Sequence, residues 1–335
     1  MAFPYPRCFE AAPLLGLDID QSAIRIVELS RRPDRSFQLE RYAHQALPAG
    51  TLTDEHIHHP GQLAEHIGAL AQRLGSRCKR VALALPAHAV ITRQLRVPAD
   101  IAEDALNALM TAEASRYLTV APDDVRVDYQ FGSCSGNDNS DADDPAQRDI
   151  VLAAARREQV EDRIAAVEAA GLIPAVLDID LYAAHAACVH AAAQAPAPSA
   201  LLMLGASTTR IALFDRQQLL YHRELPGFAA AAAVDTGTDA IANTTQIAVA
   251  ATRAIQLAAQ PGTPVQHIYI GGNRAVPGSL MQVMQAMQEQ SGITCSTANP
   301  FAAMPAGKKA NTLIADSDAA AYLVACGLAM RKAAR

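Results

Sequence analysis

The sequence predicts a mixed α/β protein made of two related halves, with a smaller α+β module inserted in the first. Three observations carry that reading. The chain opens twice, at 14–47 and again at 199–225, with an apolar strand, a tight turn and an alternating strand, an internal repeat of a whole half-domain. Between about 90 and 178 the order strand–helix–strand occurs twice. And 335 residues at 50% hydrophobic content can bury one large core or two moderate ones.

The elements follow in order. LLGLDI (14–19) is apolar, while AIRIVELS (23–30) and, after the polar turn RRPDR, SFQLERYAHQAL (36–47) alternate as half-buried strands do. Leu63, Ile67, Leu70 and Leu74 recur at helical spacing and predict a helix over about 60–74, before the buried strand VALALP (81–86). In the inserted stretch, VITRQLRVP (90–98) is a strand closed by Pro98, 99–118 is a helix, and VRVDYQFGS (125–133) alternates. SGNDNSDADDPAQ (135–147) is an acidic loop with nothing to bury. DIVLAAAR (149–156) is a strand, 157–171 a helix ending on Gly171, and LIPAVLDID (172–180) another strand. A helix (181–194) and the linker AQAPAPSA precede the second opening, ALLMLG, STTRIALFD and QQLLYHREL (200–225). Helices over about 238–259, 277–291 and 317–333 and the strand HIYIGG (267–272) complete the chain.

Composition excludes several functions. Lys and Arg number 28 against 34 Asp and Glu, for a net charge of −6, and they are dispersed, so phosphate-backbone recognition has no footprint and no nucleic-acid partner is expected. The six cysteines, at 8, 78, 134, 188, 295 and 326, form no paired ligand spacing, so buried reduced thiols are expected rather than zinc or disulfides. His56, His58 and His59 lie in a polar stretch before Pro60 and predict an exposed loop or helix start. No apolar run has the ~20 residues of a membrane helix, and the first residues lack a signal-peptide core. A cytoplasmic protein is expected, with any membrane association made through a partner.

Three segments are candidates for chemistry. Gly16 to Arg25 places Asp18 at the end of a buried strand and Ser22 and Arg25 around a hairpin, where amides and hydroxyls can face phosphates and the acid can hold hydrated Mg²⁺. Gly205, Ala206, Ser207 and Thr208 form the corresponding hairpin of the second half. Gly271, Gly272 and Asn273 end a buried strand, where glycines admit close backbone approach. Each alone is ordinary turn chemistry; together they resemble the arrangement in the actin, sugar kinase and chaperone ATPase superfamily, which clamps ATP between two duplicated halves. Asp178 and Asp180, before LYAAHAAC, resemble in position the acid or amide that the connecting helix of that superfamily offers to the nucleotide, but helix capping is the simpler reading.

DIDQSAIRIVELSR, AVITRQLRVP, EASRYLTVAPDDVRVDYQ, LAAARREQVEDRIAAVEAAGLIPAVLDIDLYA, ANPFAAM and SDAAAYLVACGLAMR resemble, in order and from about residue 14 to 331, the type IV pilus assembly protein PilM family, itself similar to the cell-division protein FtsA. The resemblance implies an actin-like ATPase fold of two duplicated RNase H-like halves, with an inserted SHS2-like module called 1C. It divides the chain into a first half (11–89), the 1C module (90–178), a connecting helix and linker (179–198), a second half (199–316) and a C-terminal helix (317–335) returning to the first half. It implies ATP with Mg²⁺ as the ligand of the cleft. It also implies a scaffold that binds the cytoplasmic N-terminal tail of the inner-membrane protein PilN in a groove beside 1C, with Arg93, Leu95 and Val97 as contacts.

The departures from the family count against a working ATPase. Where the second hairpin of the family begins with an acid, this chain has Met203, and a thioether cannot hold hydrated Mg²⁺. Asp20 occupies a loop position where small residues are usual, and a carboxylate aimed at a phosphate would repel it. The stretch from Gly205 to Gly271 is short, implying a reduced IIB subdomain. The cleft either binds ATP in an altered way or persists as a fold element, and three losses at one site favour the second. The related pilus protein MshI and the secretion protein GspL share the architecture and remain alternatives.

Overall fold

The computed structural model describes residues 13–53, 56–131, 147–192, 197–205, 208–216, 218–225, 237–258, 264–272, 279–307, 310 and 316–331. The acidic loop from 135 to 146, Ala206, Ser207 and Asn273 lie outside them.

The first sheet is built from β1 (Leu15–Ile19), β2 (Ala23–Arg31) and β3 (Phe37–Ala46), joined later by two parallel strands. A two-residue ribbon, β4 (Leu52–Thr53) with β5 (His56–Ile57), leads into α1 (Pro60–Leu74). Pro60 sits in the first turn of α1, where a missing N–H costs nothing, and Gly75 at φ 65° ends it in the left-handed region. Leu63, Ile67, Leu70 and Leu74 are all buried along one stripe, each stabilising by about 1.5–3 kcal/mol. β6 (Arg80–Leu85) follows and pairs parallel with β1. His56, His58 and His59 are exposed at the approach to α1.

A short 3₁₀ turn, Ala87–Ala89, leads into a separate small unit: β7 (Val90–Pro98), α2 (Glu103–Leu118), β8 (Val125–Phe131) and β9 (Gln147–Arg156). Its sheet has the order β7-β9-β8, both pairings antiparallel. α2 covers one face and closes a core of Val97, Leu106, Met110, Ala114, Val125, Ile150, Leu152 and Ala154. α3 (Arg157–Ala169) and β10 (Ile173–Ile179) come next. The sequence reading assigned these to the module through residue 178. Instead β10 pairs parallel with β6 as the edge of the first sheet, and α3 packs on α1. The misassignment arose because strand–helix–strand order looks the same whichever sheet receives the strand.

After α4 (Asp180–Ala191), the second sheet repeats the first. β11 (Ser199–Leu204), β12 (Thr209–Asp215) and β13 (Gln218–Leu225) form an antiparallel meander, α5 (Gly237–Ala258) follows, and β14 (His267–Gly272) pairs parallel with β11. α6 (Ser279–Ser291) leads to β15 (Thr294–Thr297), parallel to β14. The orders β3-β2-β1-β6-β10 and β13-β12-β11-β14-β15 match strand for strand and direction for direction. Among the described residues α5 is the one element between β13 and β14. β15 escaped the sequence reading because TCST lacks an apolar alternation; its parallel neighbour makes it a strand.

The C-terminal segment was expected as one helix. It is α7 (Asp316–Ala319), a 3₁₀ turn at Ala320–Tyr322, and α8 (Leu323–Ala329). α8 packs on α4, β1, β2 and β6. Small residues make this possible: a Cβ on Gly327 would sit 1.8 Å from the Ala183 carbonyl oxygen, and one on Gly16 would sit 1.8 Å from that of Ala325. The main core runs through Leu17, Ile26, Leu83, Ala184 and Leu328 and continues into Leu201, Met203, Phe214 and Tyr269 of the second sheet. His185 of α4 stacks on Phe214, with ring centroids 3.8 Å apart. Burial lowers the His185 pKa to about 4, so a neutral ring joins the halves there.

Candidate functional site

Register places the two hairpins of the halves symmetrically. In the first, Asp18 pairs across the strands with Arg25; in the second, Met203 pairs with Arg210 at the same step of the ladder. Parallel pairing sets Met203 beside Gly271 and Leu204 beside Gly272. A cleft between the halves is lined by Asp18, Asp20, Arg25, Asp180, Met203, Gly205, Thr208, Arg210 and Gly272, with Arg163, His88 and Glu224 also on its wall.

Asp18 is largely enclosed, its side chain 13% exposed, and desolvation raises its pKa from 3.8 to about 7, only partly offset by Arg25, whose Nη1 lies 3.5 Å away.

Asp20 does not point at an empty loop. Its Oδ1 accepts the Ser22 N–H and the Ser22 hydroxyl at 2.6 Å each, and the Ala23 N–H at 3.0 Å. Its Oδ2 accepts Arg25 Nη1 at 2.5 Å. Burial works against this carboxylate, yet Arg25 and Ser22 hold its pKa below the ordinary value.

The second arginine solves the absence of an acid at 203 differently. Arg210 Nη1 donates to Asp180 Oδ2 at the start of α4, across the cleft. Asp180 Oδ1 accepts the N–H of Ala87, at 2.9 Å, and of Leu181. Asp180 is therefore a bridge between the halves and not the capping residue expected; the residue preceding α4 makes no side-chain cap. Asp178 is likewise not a cap: it accepts Arg331 Nε from beyond α8, and burial raises its pKa despite that partner. His88 Nδ1 lies 3.0 Å from Glu224 Oε1, a second link from the first half to β13.

Of the residues predicted from sequence, the cleft gathers Asp18, Arg25, Gly205, Thr208 and Gly272. Ser22 sits on the hairpin, bonded to Asp20. Gly271 instead faces α8, where a Cβ would lie 2.1 Å from Leu323 Cδ1. Gly272, at φ 110°, is required by the β11 backbone, since a Cβ would lie 2.4 Å from the Leu204 carbonyl oxygen. Packing alone accounts for the glycine pair. Sequence reasoning missed Arg210, Arg163 and the bridging role of Asp180. The signal for Arg210 was present, because it follows Met203 by the spacing that separates Arg25 from Asp18.

The proposed contacts on β7 divide. Arg93 stacks over Tyr117 at 4.7 Å, and Leu95 is half-buried against the small core. Val97 is 2% exposed within that core, which corrects its assignment: its side chain is closed to a docking peptide. Among the described residues no group of His, Cys, Asp or Glu is placed to hold a metal, Cys78, Cys188, Cys295 and Cys326 are free thiols, and no helix is long and apolar enough to cross a membrane.

The comparisons with known proteins agree with this architecture. A solved PilM–PilN type IV pilus biogenesis complex contains a chain 24% identical, with a TM-score of 0.74, matched over 96% of this chain and 98% of that one. The ethanolamine utilization protein EutJ from Carboxydothermus hydrogenoformans is 13% identical, with a TM-score of 0.53, over 98% of this chain and 91% of that one. The fold is the actin-like ATPase fold. The sequence profile of type IV pilus assembly protein PilM matches residues 16–230 and 242–333, and the chain belongs to the type IV pilus assembly protein PilM family.

Proposed function

We propose that this protein is a cytoplasmic scaffold of a type IV pilus assembly complex that binds the N-terminal tail of a PilN-like inner-membrane protein, and that it is not a working ATPase. The observation that carries the second clause is the cleft. Arg25 is paired with Asp20 and Asp18, Arg210 Nη1 is committed to Asp180, and a buried thioether, Met203, stands where a metal-holding acid belongs. The first clause rests on family membership and on β7. That strand is at the edge of its sheet, and an edge offers backbone partners to an extended peptide. Arg93 and Leu95 lie on it, and the membrane is reached through the bound tail.

The test is a titration of the purified protein with a synthetic N-terminal tail of the PilN-like protein from the same organism, with and without Mg-ATP. Saturable binding that is unchanged by Mg-ATP is expected. No binding in either condition refutes the scaffold reading, and phosphate release abolished by Asp18→Ala refutes the non-enzymatic one.

A further inference from the structure

The first hairpin contains the parts of an oxyanion cradle: two adjacent backbone N–H groups, a hydroxyl and a buried guanidinium converging on one place. All of them meet the carboxylate of Asp20, and Arg25 Nη1 also lies 3.5 Å from Asp18 Oδ2. Ser22 N–H, Ser22 hydroxyl and Ala23 N–H address Oδ1, and Arg25 addresses Oδ2. The receiving guanidinium is 4% exposed, whereas Asp20 is 34% exposed, so the acid lies on the cleft side of its own receptor.

We infer that Asp20 is a resident plug, a protein carboxylate occupying the oxyanion cradle of the first hairpin and keeping phosphate-bearing ligands out of the cleft. The inference rests on the reading that the cleft is not a working nucleotide site, and it supplies the cause. A free phosphate oxygen approaching this hairpin meets donors already committed to a negative charge that cannot diffuse away. A tethered carboxylate forgoes the translational entropy that a ligand must surrender on binding. Repulsion between that carboxylate and an incoming phosphate adds to the barrier. The opposite wall keeps one unspent donor, because Arg210 Nε is buried without a hydrogen-bond partner while its Nη1 holds Asp180. With the plug removed, Arg25 and the Ser22 and Ala23 amides would face the cleft from one side and Arg210 Nε from the other.

The test is gain of binding. Inorganic pyrophosphate is titrated calorimetrically into wild type, Asp20→Ala and Asp20→Asn, each with its fold checked by circular dichroism. Asp20→Ala is expected to raise pyrophosphate affinity at least tenfold, and Arg25→Met in the same background to abolish that gain. Asp20→Asn keeps an acceptor for the Ser22 and Ala23 amides but gives up the charge, so it preserves the turn and is expected to show a smaller gain of the same sign. If both variants are folded and, like wild type, bind no pyrophosphate, the plug is refuted while the non-nucleotide reading stands. If wild type already binds pyrophosphate or Mg-ATP as tightly as Asp20→Ala, both fall together.

Discussion

Replacing Asp18 by Asn should stabilise the protein at alkaline pH and do almost nothing in acid. In the folded state burial raises the Asp18 pKa to about 7, against 3.8 ordinarily. The folded protein therefore binds this proton more tightly than the unfolded chain does. Between about pH 4 and pH 7 the unfolded state has lost the proton that the folded state still holds, so raising the pH favours unfolding. At ~1.4 kcal/mol per pH unit, the interval from 3.8 to about 7 sets an upper bound of ~4 kcal/mol on stability lost across that window. Below about pH 4 the acid is neutral in both states and costs nothing. Asparagine keeps the shape and is neutral throughout, while Arg25 retains Asp20 at 2.5 Å. The variant should match wild type near pH 4 and exceed it by about 2–4 kcal/mol at pH 8. Because the chain has no tryptophan, urea unfolding is best followed by far-UV circular dichroism at pH 4, 5, 6, 7 and 8. A wild-type-minus-variant difference that stays flat with pH, or a variant less stable at pH 8, would refute the reasoning; it would mean that Arg25 outweighs desolvation and keeps Asp18 ionised.

Three further outcomes follow from the packing and the cleft. Gly327→Ala forces a methyl to within 1.8 Å of a backbone oxygen of α4, which cannot rotate away, so it should cost about 3 kcal/mol or more and lower the melting temperature by several degrees; an unchanged melt would mean that α8 does not pack so closely. Met203→Asp should not restore Mg-ATP binding, because Asp20 still fills the first hairpin and the new acid competes with Asp180 for Arg210; a saturable calorimetric isotherm would overturn this. Val97→Ala should destabilise by ~2 kcal/mol through a cavity in the small core, whereas Arg93→Ala should change stability by under ~1 kcal/mol yet weaken PilN-tail binding several-fold; equal effects of the two on peptide affinity would count against docking along β7.

Much of the architecture was legible from the chain alone, because its signals are local. Alternation marked the strands of both meanders, helical spacing marked α1, and the repeated opening exposed the duplication. The absence of an acid at 203 was equally plain, since identity at a position is all that such a judgement needs. What only the folded chain could decide was where side chains find partners. Whether residues 173–179 join the small sheet or the large one depends on which neighbour offers a free edge. That Asp20 turns back onto its own hairpin, and does not stand free in the loop, depends on a turn that brings two amides and Arg25 to one carboxylate. That Arg210 recovers its lost cross-strand acid from Asp180 depends on α4 starting opposite the second hairpin. Coulomb attraction and hydrogen bonding act through space, over a few ångströms, and sequence separation does not record that distance.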